Sequence, residues 1–456
     1  MQDKVVKGFS KLDKEQKLDW ILTHFFDQSK EAEQDFKGFW HSNEALQTVL
    51  DGFSENTVSN FPMPFGIAPN FLINGKLYAV PMVIEESSVV AAASSAAKFW
   101  LTRGGFRAEV LSTKKLGQVH FFWKGKAEKL VSVFEELKNT MNQEAAHITA
   151  NMEKRGGGVL EIKLLDFTDK EAEYYQLLVS FETCDSMGAN FINSVLESYG
   201  QTLERFVAEH EGFTKEEREL EVLMAILSNY TPECLVRASV SCPVEQLGFI
   251  CDGIDPKSFA DRFYKAVRVA QIDPYRATTH NKGIMNGVDS VVLATANDFR
   301  AIESSCHAYA AHDGQYRSLS SCSIEDGIFK FWVDLPLALG TVGGLTKLHP
   351  LAKRSLELLG HPSATELMEI VAATGLAQNF AAVRSLITTG IQQGHMKMHL
   401  KNILIHLKAT EEEITKAYQF FEDKVVSFSG VREFVEDLRK KKVEGRVKIE
   451  GRRAIL

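Results

Sequence analysis

Between positions 273 and 289 the chain reads Asp-Pro-Tyr-Arg-Ala-Thr-Thr-His-Asn-Lys-Gly-Ile-Met-Asn-Gly-Val-Asp, and Asn297-Asp298 follows shortly after. Arg276, His280, Lys282, Asn286 and Asp298 are thereby crowded into one short polar region. A core segment does not hold so many charged and amide groups without partners, because burying an unpaired charge is costly. A plain surface loop does not need Asp-Pro and Met-Asn-Gly turns so tightly spaced. Cation, amide and carboxylate at this density suit an anionic substrate. Composition alone leaves a well-capped surface loop as an equal alternative.

Other clusters bear on that choice. Glu85-Glu86-Ser87-Ser88 runs into Val89-Val90-Ala91-Ala92-Ala93-Ser94, and Asp185-Ser186-Met187-Gly188-Ala189-Asn190 lies further on. Gly340-Thr341-Val342-Gly343-Gly344, Gly375-Leu376-Ala377-Gln378-Asn379 and Gly394-His395-Met396 complete the series. With the 273–289 segment, and in this order, these motifs resemble hydroxymethylglutaryl-CoA reductase, in its soluble bacterial class II form. The resemblance runs from about residue 60 to about residue 405.

The resemblance implies interconversion of hydroxymethylglutaryl-CoA and mevalonate plus coenzyme A, with two hydride transfers through a hemithioacetal and an aldehyde. Each transfer leaves negative charge on a carbonyl oxygen, and removing one fixed donor to such an oxygen costs about 10²–10³ in rate. Lys282 matches that donor, with His280, Asn281 and Asn286 expected to hold it. Asp298 matches an essential aspartate; beside Lys282 it would keep the lysine charged and raise the pKa of a second carboxylate. That carboxylate is Glu86, the match to the catalytic glutamate, which then donates a proton at neutral pH. Without the resemblance, Glu85-Glu86 reads as a dipole-stabilising first helical turn, a role kept for Glu85. His395 matches the histidine that protonates the departing thiolate, suited by its pKa, while His399 reads as structural. Gly394 allows a bend in a mobile flap.

For the hydroxymethylglutaryl group, Arg276 can grip a carboxylate bidentately. Ser88 and Asn286 match family contacts, with Gln378 and Asn379 as further candidates. Asp185, Met187, Gly188, Ala189 and Asn190 match the dinucleotide motif, Gly188 opening a helix whose N–H groups approach a pyrophosphate. Asn229 is an additional candidate. NADPH is expected over NADH: Thr149 falls, by ungapped counting, where NADH-preferring members carry a ribose-binding aspartate, and His147, Lys154 and Arg155 lie nearby. The chain departs from the family pattern at Ser87 (proline expected), Ser186 (alanine), Ala296 (glycine) and Phe299 (tryptophan); no reacting group is lost.

Holding these groups takes an α+β architecture with a helix-rich large domain. Residues 1–107 and 220–388 are assigned to a discontinuous substrate-binding domain. It includes polar-faced helices before about residue 55, with a stripe of Leu12, Leu18, Ile21 and Leu22. A small-residue helix over 88–101 ends at Arg103-Gly104-Gly105. Residues 108–219 read as an inserted block: strands at 106–112, 118–124, 160–164 and 174–181, helices at 127–154 and 190–207. By resemblance this insertion binds the nicotinamide dinucleotide on a ferredoxin-like topology, and the chain has no GxGxxG. Residues 389–456 are expected to form a mobile C-terminal helical flap, with a capping box at Thr410–Glu413 and a solvated basic tail (439–442, Arg452-Arg453).

Composition narrows the class. At 456 residues the chain exceeds one simple core. A net charge of −8 argues against a nucleic-acid partner. There is no signal-peptide core at the start and no apolar run of membrane-spanning length, so a cytoplasmic enzyme without a membrane partner is expected. Six cysteines without CxxC read as reduced thiols, and thirteen histidines without HExxH give no reason to expect a metal. The family resemblance implies a homodimer or higher homo-oligomer with shared active sites.

Overall fold

In the computed structural model, which describes residues 4–248, 254–388, 400–422, 424 and 426–453, the chain opens with three short helices. These are α1 (Lys14–Phe25), α2 (Lys30–Gly38) and α3 (Glu44–Asp51), capped by the side chains of Asp13, Ser29 and Asn43. Such caps satisfy N–H groups that have no partner inside the helix. Leu18 and Leu22 supply the buried stripe, while Leu12 lies before α1. A hairpin of β1 (Phe65–Ile73) and β2 (Lys76–Val83) leads through Glu85-Glu86 into α4 (Val89–Leu101). Buried Ala93, Ala96 and Ala97 let α4 lie close against β1.

After β3 (Arg107–Val110) come β4 (Lys115–Trp123), α5 (Ala127–Glu153), β5 (Gly158–Asp166), β6 (Tyr174–Glu182), α6 (Ala189–Glu209) and β7 (Leu220–Leu227). Strands β4 to β7 make an antiparallel sheet in the order β5-β6-β4-β7, and α5 and α6 pack together over it. Val119, Phe121, Leu177, Phe181 and Tyr199 are among its buried side chains. Two edges of the expected block move. The strand after residue 219 pairs with β4, so it completes this sheet rather than the larger domain. At the other edge, β3 pairs with β8 (Leu235–Pro243) and so belongs to the larger unit.

The larger unit continues with α7 (Pro256–Ile272), α8 (Pro274–Ala294), α9 (Phe299–Ala310), β9 (Ser320–Glu325) and β10 (Ile328–Pro336). It ends with α10 (Leu345–Leu348), α11 (Pro350–Leu358) and α12 (Ala364–Ile387). Its second sheet, β3-β8-β10-β9, was not separated from helix by the sequence reading. The segment read as tight turns before a helix is all helix: Met285-Asn286-Gly287 sits in mid-α8. Its glycine serves packing instead. A Cβ on Gly287 would lie 2.7 Å from Thr374 O and 3.1 Å from Gly375 Cα, and one on Gly375 would lie 2.8 Å from Val288 Cγ2. The axes of α8 and α12 therefore approach closely at these glycines. At 24 residues, α12 is long and apolar enough to cross a membrane, a run the sequence reading did not single out. Here it is mostly buried, against α4, α7, α8 and β8.

The C-terminal helices Glu411–Phe420 and Phe428–Arg453 have their own small core, which includes Leu400, Leu404, Ala417 and Val431. Thr410 and Glu413 form the expected capping box. Arg439 is not a free member of the basic tail: its Nε donates to Glu413 Oε1 at 2.9 Å, and the guanidinium also reaches Leu407 O and Lys408 O.

Candidate active site

The start of α4 and the facing sides of α8 and α12 enclose a cleft of ≈ 280 Å³. Glu86, Ser88, Arg276, Lys282, Asn286 and Gln378 line it, with Asn379 among its inner residues. Arg276, Lys282 and Asn286 share it because spacings of three to four residues along α8, through Thr279 and Gly283, keep one face. Lys282 Nζ lies 2.5 Å from Glu86 Oε2, and Asn286 Nδ2 donates to the same oxygen at 3.3 Å. Because α4 starts only at Val89, neither Glu85 nor Glu86 is in its first turn. The dipole role expected of Glu85 is therefore not played, and Glu86 is free to face the lysine. Ser88, at the N-cap, adopts φ 77, a left-handed conformation uncommon for a non-glycine residue, and its hydroxyl makes no cap bond. Strain of this kind concentrates at ligand sites.

Other expected contacts are made elsewhere. Asp298 does not reach Lys282: it caps α9, accepting from the N–H groups of Arg300 and Ala301, and pairs with the Arg300 guanidinium at 2.8 Å. The carboxylate facing the lysine is thus Glu86. Nor do His280 and Asn281 hold Lys282. His280 Nε2 contacts Ser320 Oγ at 2.6 Å, and Asn281 donates to Arg317 O and accepts from Leu319 N. Burial first, then the Arg276 charge, pushes His280 down to about 3, so it is a neutral brace. Asn379 belongs to the same brace, accepting from Ser320 Oγ at 2.9 Å, whereas buried Gln378 keeps an Oε1 with no partner. Among the described residues no carboxylate pairs with Arg276, which is half-buried and open to an anion. His395, Gly394 and His399 lie outside the described residues.

The second cluster lies where the two sheets meet. Gly188, at φ 87, opens α6 without a side-chain cap, leaving first-turn N–H groups for an anion. A crevice beside it is lined by Met187, Ala189, Asn229, Lys115, Thr231 and Ala301. Ala301 lies in the first turn of α9, so this crevice adjoins the helix that Asp298 caps. Asn190 is exposed in the first turn of α6. Asp185 acts as a tether: its Oδ1 accepts from Ala364 N at 2.7 Å and its carbonyl from Thr341 N at 2.9 Å. Gly340 completes the seam. Its N–H donates to Asn297 Oδ1 at 2.9 Å, and a Cβ there would lie 2.4 Å from Met187 N. These residues suit a dinucleotide: an uncapped helix start, amides on two sides and an apolar slot.

Thr149 does not fit its expected role. It lies 4% exposed on the buried stripe of α5, with Met141, Ala145 and Met152. His147, Lys154 and Arg155 are exposed, and Arg155 O accepts from Cys184 Sγ, bringing that turn beside the 183–188 loop. The sequence reading missed Lys115, Thr183, Thr231 and the seam role of Gly340. Only Lys115 left a signal: it occupies an inward position of β4, in register with buried Gly117, Val119, Phe121 and Trp123.

The family model for hydroxymethylglutaryl-coenzyme A reductase matches residues 15–400. The 3-hydroxy-3-methylglutaryl-coenzyme A reductase of Archaeoglobus fulgidus is 36% identical over 453 residues, 95% of this chain and 94% of that one. The chain belongs to the hydroxymethylglutaryl-coenzyme A reductase family. Among solved structures of such reductases, one from Streptococcus pneumoniae is similar with a TM-score of 0.68 at 36% identity, covering 95% of this chain and 99% of that one. A class II 3-hydroxy-3-methylglutaryl-CoA reductase from the same organism, bound to NADPH in open conformations, gives 0.67 at 35% identity, covering 90% and 100%. The cleft with its lysine–glutamate pair and the crevice at the sheet seam are thus features of a reductase chain.

Proposed function

We propose that the chain is a class II hydroxymethylglutaryl-CoA reductase, interconverting hydroxymethylglutaryl-CoA and mevalonate plus CoA with two equivalents of NADPH. The observation that carries this reading is the contact of Lys282 with Glu86 in a cleft that also holds Arg276, Ser88 and Asn286. Arg276 binds the terminal carboxylate of the substrate, and Ser88 and Asn286 bond its polar groups. Lys282 stabilises the negative charge that develops on the carbonyl oxygen at each reduction. Glu86, whose Oε2 meets Lys282 Nζ, relays a proton to that oxygen. His395 delivers a proton to the departing thiolate, and Asp298 acts from the cap of α9. The bound dinucleotide supplies the hydrides.

Met187, Gly188, Ala189, Asn190 and Asn229 hold the dinucleotide, with Asp185 setting their loop. The β-α-β-β-α-β order of β4 to β7, in the spatial order β5-β6-β4-β7, supports a ferredoxin-like inserted domain. The preference for NADPH rests on the NADPH-bound Streptococcus relative and on exposed Arg155 and His147, no longer on Thr149. Residues beyond 388 act as a flap over the site, and the working enzyme is a cytoplasmic homodimer or higher homo-oligomer. The test is oxidation of NADPH or NADH by purified protein with hydroxymethylglutaryl-CoA. Faster turnover with NADPH is expected. A folded protein that oxidises neither would overturn the reading.

A further inference from the structure

The crevice at the sheet seam carries two polar groups with unmet bonding capacity. Lys115 is 4% exposed, yet its ammonium meets no carboxylate among the described residues; it donates to Thr183 Oγ1 and to Ser186 O, the latter at 2.9 Å. Of the nearby acids, Glu182 is engaged by Thr113 Oγ1 and Cys184 N, and Asp185 by Ala364 N. Burial holds the ammonium below the usual lysine range, and burial also pushes the neighbouring Cys234 thiol up to about 11, so it offers no counter-charge. An ammonium has three donors, and two are used. Thr231, 2% exposed, lines the same crevice, and its Oγ1 has no partner. Buried polar groups normally find partners, and an exception calls for a cause.

The surroundings say what the missing partner looks like. Apart from Ser228 and Asn229 at one side, the remaining lining, which includes Leu116, Met187, Ile192 and Leu227, is apolar. At ≈ 20 Å³ the crevice admits one small acceptor, such as a carboxamide oxygen, with the ring that bears it lying outside. Polyphosphate would leave its charges against hydrocarbon. We infer that Lys115 and Thr231 form a polar subsite that positions the carboxamide oxygen of the nicotinamide in this crevice. Lys115 also steadies the turn that opens α6. Thr183, which it contacts, donates to Ser186 O at 2.6 Å and fills the space that a Cβ on Gly188 would need. Both are positioning residues, and the inference rests on the dinucleotide reading given above.

The test compares Lys115→Met and Thr231→Val with the unaltered full-length protein by calorimetric titration with NADPH and with adenosine 2′,5′-bisphosphate, which lacks the nicotinamide. Loss of one hydrogen bond to a charged or buried donor predicts a roughly tenfold rise in the NADPH Kd for each variant. Binding of the bisphosphate should change less than about twofold, and the KM for hydroxymethylglutaryl-CoA should hold. Thr231→Val preserves shape, so it remains informative even where Lys115→Met folds poorly. Equal weakening of both ligands would reduce the pair to a structural brace, and unchanged NADPH binding would overturn the subsite. Failure of the unaltered protein to bind NADPH would strike instead at the proposed function.

Discussion

Lys282 and Glu86 meet in an open cleft, with side chains 60% and 37% exposed, so water screens their attraction and the pair adds little to stability. On the mechanism proposed above, such charges gain strength when substrate displaces the water around them. Lys282→Met should therefore lower kcat about 10²–10³-fold while the melting temperature stays nearly unchanged, as steady-state kinetics and thermal scans would show. Asp289 is the contrasting case. It lies two turns beyond Lys282 on α8, its Oδ1 has no partner, and burial, followed by the adjoining Glu303 carboxyl, pushes its pKa up to about 9. A raised carboxyl favours its neutral form in the folded state. Its cost to stability is absent below the ordinary carboxyl pKa and grows as pH rises through the neutral range. Asp289→Asn should thus raise stability by about 1–3 kcal/mol at mildly alkaline pH, with the gain vanishing towards acid; melting curves across pH would check it. The cleft residues were legible in the sequence because each sits in a recognisable motif. Thr231 was not, since an isolated residue acquires meaning only from what folds around it, and Lys115 left only its inward place on β4.

The elements were readable where hydrophobic period and caps agree, as in α4, α5, α6 and the Thr410 capping box. They failed in two physically distinct ways. Polar residues and glycines in α8 imitate turns, yet the glycines are there to admit α12, a demand set by a helix far away in sequence. Strand β7 exposes apolar Leu223, Met224 and Ile226, so its alternation does not announce which sheet it joins. Between α8 and α9 one departure from the family pattern gains a physical meaning. Ala296 stands where glycine was expected, and its φ is 54. The left-handed conformation costs a residue with a Cβ about 1–2 kcal/mol, partly offset by the greater unfolded-state freedom of glycine. Ala296→Gly should stabilise the protein by up to about 1 kcal/mol, read as a higher urea midpoint with unchanged slope, and leave the Asp298 cap intact.

At the scale of the whole molecule, the two clusters are joined by one narrow seam. Asn297 holds Gly340, Gly340 admits Met187, and Asp185 fastens the same loop to the start of α12. No local pattern reveals such a junction, because its partners come from four separate stretches of chain. Gly340→Ala would drive a methyl group into Met187 N, so the loop proposed to hold the dinucleotide must shift. NADPH binding should weaken at least about tenfold, given one or more displaced hydrogen bonds, while affinity for hydroxymethylglutaryl-CoA is retained; titrations with each ligand would separate the two. The C-terminal helices stand apart from this seam. Among the described residues their buried apolar side chains form a set separate from those of the large core. A unit with its own interior can be exchanged like a cassette. On the flap reading proposed above, grafting the corresponding segment from a relative changes how the enzyme opens and closes without repacking the cleft, so lineages diverge in pace of turnover while sharing the same chemistry.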